Sequence, residues 1–199
     1  MLRKLFFILT TAILIVAVFT GIVSALDVRQ PIVTKANLEN VGSFAMATHP
    51  TGANYAIDNG QLFAGRPGEW TKITTPENVL VGAVAADSSR PGTVYMGAAN
   101  EMAVYRSTDR GAQWMRVPLT DEFVGGVTSL AFDSVNRVLY VGTDTAGVFR
   151  LRDVGSSMIA GGQTELDEPV KQVVTDNTGA GLTFVRTTMD LYRAENGGL

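Results

Sequence analysis

Carboxylates and arginines are the residues of this chain whose types and spacing could do chemistry. Hydrolysis of a glycosidic bond needs two carboxyl groups roughly 5–10 Å apart, one of them in an apolar pocket. Asp58 and Asp144 fall in matching loops of a repeating pattern and are the best-placed pair. No motif flanks either one, so the expectation is a chain without a catalytic residue. Arg106, Arg150 and Arg193 each follow an aromatic residue, Tyr105, Phe149 and Tyr192. Such a ladder is expected on an exposed strand face, pairing with neighbouring carboxylates; the alternative is an anion-binding stripe for a partner. The sole histidine, His49, precedes Pro50 and reads as a turn residue. One histidine and no cysteine exclude a multi-histidine metal site, a thiolate zinc site and a disulfide framework. No metal or cofactor is expected. No glycine-rich phosphate loop opens a helix either; Gly125-Gly126 and Gly161-Gly162 read as turn punctuation.

The elements that must position these residues come from an internal repeat of about 43 residues. Three copies have an apolar strand ending in Asp (Val81 to Asp87, Val127 to Asp133, Val170 to Asp176), and all four then have a strand centred on an aromatic (Tyr55, Tyr95, Tyr140, Phe184). A third strand carries another aromatic, at Phe63, Tyr105, Phe149 and Tyr192, spaced by 42, 44 and 43 residues. The first copy lacks the Asp-terminated strand and has Ser43 to Thr48 instead. Turn signals such as Arg90-Pro91-Gly92 and Asn177-Thr178-Gly179 separate the apolar runs. A four-strand unit of this period is that of a propeller blade, and the helical crossovers that a parallel sheet needs are absent. The prediction is an all-β propeller of about four blades, each of four antiparallel strands, with copies at approximately 31–80, 81–126, 127–169 and 170–199. The fourth copy ends before its last strand, while Pro31 to Leu38 stands where a fourth strand belongs. Two readings follow: a small closed ring, or an incomplete part of a larger propeller.

Between the third and fourth strands of the second copy lies Ser107-Thr108-Asp109-Arg110-Gly111-Ala112-Gln113-Trp114. Short Ser and Asp side chains can bond the turn's own backbone, Gly supplies a positive φ, and Trp anchors the returning strand. The octapeptide matches Ser-x-Asp-x-Gly-x-x-Trp and resembles the Asp-box. The third copy keeps Asp153 and Gly155 but lacks the Trp. With the repeated aromatic-Arg pairs, the chain from about residue 31 to 199 is similar to the Asp-box (BNR-repeat) propellers. That superfamily includes sialidases, sortilin-type receptors, oligoxyloglucan-cleaving glycosidases and photosystem II stability and assembly factors. The exported assembly-factor and sortilin-like branch is nearest in look. The resemblance implies structural roles for Ser107, Asp109, Gly111 and Trp114, the last as a packing wedge between blades. Sialidases draw an arginine triad from inner strands, and the arginines of this chain follow third-strand aromatics instead.

Ahead of the repeats, Arg3 and Lys4 precede a segment from Leu5 to Leu26 without a charge. This predicts an export leader, residues 1–26, as one hydrophobic helix that is either cleaved after Ala25 or kept as a membrane anchor. Residues 5–26 would contact the membrane if uncleaved, and the propeller would lie outside the cytoplasm. The body carries 14 basic residues against 19 acidic ones, which argues against nucleic acid as a partner. Sorting charges by loop places eleven acids on one rim with only Lys171 nearby. The candidate interaction face within it comprises Asp58, Glu101, Asp121, Glu122, Asp144, Asp167 and Glu168. One-sided charge steers basic partners or cations. The expected function is a non-catalytic extracytoplasmic scaffold that binds protein, a membrane complex or the basic segment of a client. The alternatives are a carbohydrate-active or carbohydrate-binding propeller, or a truncated product without activity of its own.

Overall fold

The computed structural model describes residues 38, 41–46, 52–66, 69–122 and 124–195. The expected leader, the Pro31 to Leu38 strand except Leu38 itself, His49 and residues 196–199 lie outside them. Lys35 to Leu199 form one compact unit. Its described residues hold fifteen strands and no helix. The first sheet contains β1 (Val41–Met46), β2 (Asn54–Asp58), β3 (Gln61–Arg66) and β4 (Glu69–Lys72). The second has β5 (Val81–Ala86), β6 (Val94–Ala98), β7 (Ala103–Ser107) and β8 (Met115–Pro118). The third has β9 (Val127–Asp133), β10 (Val138–Thr143), β11 (Val148–Asp153) and β12 (Met158–Thr164). The fourth has β13 (Val170–Thr175), β14 (Thr183–Thr187) and β15 (Leu191–Ala194). Every sheet is an antiparallel meander in chain order, as a propeller blade is.

Side chains on a strand alternate between its two faces, and the middle strands of these blades are apolar on both. In β6, Tyr95 faces the third blade, whereas Val94, Met96 and Ala98 face the first. In β10, Leu139 and Val141 face the second blade and Tyr140 the fourth. Three apolar clusters result, one in each space between consecutive blades. Burial on both faces explains why these runs read as continuous apolar stretches rather than alternating ones.

The first strands carry the closest approach between blades. β5 packs against β1 and β9, and β9 against β13, while the described residues show no comparable packing of β1 on β13. Small residues make this approach feasible. A Cβ on Gly97 would lie 2.3 Å from Val127 Cγ1, and one on Gly142 would lie 2.5 Å from Val170 Cγ1. β6 and β10 thus accept the leading valine of the next blade into the gap that their glycine leaves.

Register makes the repeat concrete. Tyr95 pairs with Ala85 and Arg106, Tyr140 with Ala131 and Arg150, and Phe184 with Val174 and Arg193. Tyr55 occupies the same place in the first blade but faces Ala45 and Ala64. The Asp that follows the inner strand in the second, third and fourth blades binds its own turn: Asp87 accepts from Ser89, Asp133 from the backbone of Val135 and Asn136, and Asp176 from the Thr178 hydroxyl. Adjacent turns are also tied across blades, Ser88 Oγ to Ser134 Oγ at 2.8 Å and the Ser134 amide to Asn177 Oδ1 at 3.0 Å.

Candidate functional site

The densest polar cluster sits between the second and third blades, on the side of the turns that join first strands to second and third to fourth. Asp153, at the end of β11, is 2% exposed. Its carboxylate accepts the Tyr95 hydroxyl of the second blade. It also accepts Arg106 Nε at 3.1 Å and Nη2 at 3.2 Å, Arg137 Nη2 at 2.9 Å and the Gly155 amide at 2.7 Å. Arg137 reaches back to the second blade and pairs with Asp87. Its guanidinium stacks on Phe132, 4.9 Å from the ring centroid. Burial pushes the Asp153 carboxyl up, but the Tyr95 hydroxyl, the Gly155 amide and Arg106 outweigh it and leave the group below the ordinary carboxylate range. Burial, and then the bond to Asp153, pushes the Tyr95 phenol well above its usual value. An ion set held this way joins two blades.

This cluster corrects the expectation of an exposed arginine ladder. Arg106 is buried and serves the neighbouring blade; Arg150 is half-buried with Nη2 3.3 Å from Gly161 O, and Arg193 is exposed and bridges Glu195 at 2.6 Å. Three residues with one sequence context have three environments, because each depends on what the next blade presents. Asp153, Arg137, Tyr95 and Asp87 were missed as a group. The available signal was that the third copy keeps Asp and Gly from the turn motif while losing its Ser and Trp.

In the turn from Ser107 to Trp114, the Ser107 hydroxyl donates to Asp109 Oδ1 at 2.7 Å and accepts the Gly111 amide at 2.8 Å. The Gln113 amide donates to the same Asp109 oxygen at 2.9 Å, and Gly111 has φ +92°. The Gln113 amide and then the Ser107 hydroxyl hold the Asp109 carboxyl below its ordinary range. Trp114 is half-buried beside the cluster of the first two blades and donates Nε1 to Thr74 O at 3.0 Å.

The acidic rim divides into structural and exposed members. Asp144 Oδ1 accepts the Gly126 amide at 2.8 Å, and Glu168 accepts the Thr187 hydroxyl and the Met189 amide. Glu101 binds the Tyr105 hydroxyl and meets Arg116 Nη2 at 2.7 Å. Arg116 therefore corrects the expectation that only Lys171 stands near the acids. Burial raises the Glu101 carboxyl, but Tyr105 and Arg116 bring it below the ordinary range. Asp58 is half-buried and accepts Asn59 Nδ2 at 3.2 Å. Asp121, Glu122 and Asp167 are exposed. Asp144, Glu165 and Asp167 line one cleft of about 280 Å³, beside Thr145 and Leu166. No group of three or more potential ligand residues that could hold a metal occurs among the described residues.

No family model and no curated protein matches the chain. Solved structures do. The GH74 xyloglucanase from Xanthomonas campestris superposes with a TM-score of 0.60 at 22% identity, over 83% of this chain and 30% of that one. A GH74 enzyme from Niastella koreensis gives 0.59 at 14% identity, over 79% of this chain and 29% of its own. The extracellular domain of a one-component system from B. thetaiotaomicron gives 0.60 at 15%, over 86% and 23%. The chain thus spans less than a third of the length of each. The meander sheets, their stacking through first strands and these superpositions establish that the described repeats have the β-propeller fold.

Proposed function

We propose that this chain is a non-catalytic, extracytoplasmic β-propeller that binds a protein partner through its acidic rim, the partner supplying a basic segment. The observation that carries the reading is the 280 Å³ cleft lined by Asp144, Glu165 and Asp167. The loop that carries Asp144 is tied on both sides: the Asp144 amide donates to Gly126 O at 3.2 Å and Thr145 Oγ1 to Val124 O at 3.0 Å, and Gln163 Nε2, at the end of β12, donates to Ala146 O at 2.9 Å. Carboxylates of one sign favour a cationic ligand, and the fixed Asp144 loop lowers the ordering cost. The uncharged Leu5 to Leu26 segment behind Arg3 and Lys4 supports export, and the likeness to an extracellular domain agrees with it. The bonded turn at Ser107 to Trp114 supports membership of the Asp-box propellers, with the assembly-factor and sortilin-like branch as the nearest reading.

The test is capture of a short lysine-rich peptide, followed by fluorescence anisotropy from low to high salt. Reversal of the exposed Asp121, Glu122 and Asp167 to lysine is expected to weaken capture at least about tenfold and to remove its salt dependence. Glu168 is left intact because it holds the turn at Met189. Unchanged capture by the triple variant defeats the proposal. The likeness to GH74 enzymes favours a second reading, a carbohydrate-active propeller. Release of reducing sugar from xyloglucan by the purified chain, lost in Asp58→Asn or Asp144→Asn, would establish that reading instead.

A further inference from the structure

The third and fourth blades meet over a hollow where the second and third meet over solid packing. At the earlier interface, three cross-strand pairs lie in or against one apolar cluster: Val104–Val117 from the second blade, and Val141–Phe149 and Leu139–Leu151 from the third. By register, the same places one interface later hold Val148–Thr164, Val185–Tyr192 and Thr183–Ala194. Two leucines have become threonine and alanine, and a valine has become threonine. In sequence, residues 196–199 align with 153–156, the turn at the other rim, so the missing bulk is that of Thr164, Thr183 and Ala194 themselves.

A cavity of about 230 Å³ occupies that place. Val148 and Val185, both fully buried, form its floor, and Thr164, Leu166, Ala194 and the exposed Tyr192 form its walls. The blades cannot close over it, because Gly142 already brings β10 against Val170 of β13. Apolar cavities of about 150 Å³ take up benzene, so this one admits a phenyl ring. Its surroundings are acidic. Burial, and then the charges of Asp190, Glu168 and Asp167, push the Tyr192 phenol above its ordinary value, which puts three carboxylates around the mouth. Arg193 also lines the cavity, but its guanidinium is engaged by Glu195 at 2.6 Å. Leu166 lines both this cavity and the cleft of Asp144, Glu165 and Asp167, so the two adjoin.

We propose that the cavity seats a large apolar side chain, a phenylalanine by its size, from the basic segment that the acidic cleft binds. The ring takes the place that the Leu151 side chain fills one interface earlier, and lysines on either side of it meet the carboxylates of the cleft and of the mouth. Burial of the ring supplies affinity that salt does not screen, and the carboxylates orient the segment. This inference rests on the proposed function and makes it specific: the partner segment is amphipathic, with one apolar anchor between basic residues.

Calorimetric titration of the full chain with two blocked pentapeptides, Lys-Lys-Phe-Lys-Lys and Lys-Lys-Ala-Lys-Lys, tests this. The Phe peptide is expected to bind at least about tenfold tighter, as for burial of one large apolar side chain, and that ratio should persist in high salt. Ala194→Leu restores the residue of the earlier interface and fills the cavity. It should abolish the preference, leave affinity for the Ala peptide unchanged and hold or raise the melting temperature, which separates lost preference from lost folding. Thr164→Leu fills the same space from the third blade and should act alike. Equal affinity of the parent for the two peptides overturns the inference and leaves the basic-segment reading standing. A preference that survives in both filled variants overturns it as well. Binding of neither peptide defeats the inference and the proposed function together.

Discussion

Asp109 and Asp153 occupy the same register position in successive blades and do opposite things. Asp109 is exposed and closes its own turn through Ser107 and Gln113, whereas Asp153 is buried and gathers donors from two blades. An uncompensated buried cation is costly, so the isosteric Asp153→Asn, which leaves Arg106 without its anion and Arg137 with Asp87 alone, is expected to destabilise the fold by about 3–5 kcal/mol on denaturant titration. Tyr95→Phe should lose about 1.5–3 kcal/mol, one bond to a charged acceptor. The pH dependence has a definite sign. The Asp153 carboxyl is lowered in the folded state, so its contribution is complete above the ordinary carboxylate pKa of about 4 and is lost as pH falls through the lower folded value. Stability of the parent should therefore fall more steeply below about pH 4 than that of Asp153→Asn, measured as the denaturation midpoint against pH.

At the scale of the strand, blade spacing is set where the second-strand glycines meet the first-strand valines. Gly142→Ala would drive a methyl group against the fully buried Val170 and is expected to cost about 1–3 kcal/mol, read from the shift in denaturation midpoint. Trp114 works at the same scale, covering the junction between the first two blades beside Ile73. It is only half-buried, so Trp114→Ala should cost about 2–3 kcal/mol rather than the roughly 3–5 kcal/mol of a fully buried aromatic.

Across the whole set of blades, cohesion is local. Each apolar cluster fills one space between neighbours, and the polar ties at Asp153 and at Ser88–Ser134 act within a single interface. Stability should then behave as a sum over interfaces, as in other repeat architectures. Asp153→Asn acts between the second and third blades and Gly142→Ala between the third and fourth. Their double variant is expected to lose the sum of the single losses to within about 0.5 kcal/mol, a result that equilibrium denaturation can check directly. A larger discrepancy would mean that the third blade transmits strain from one face to the other.

The 43-residue period, the Asp at the end of three inner strands and the apolar runs were legible in sequence, because strands and tight turns depend on residues close together in the chain. So was the propeller class, since meander blades follow from short connections. The fate of each charged side chain was not legible. Arg106, Arg150 and Arg193 follow the same kind of aromatic, yet only Arg106 meets a buried carboxylate, which comes from a residue 47 positions away. Arg116 likewise sits beside Glu101 through strand pairing rather than sequence proximity. The sequence by itself determined the blades; the tertiary structure decided which charges are buried, because burial is a property of the neighbouring blade and not of the residue.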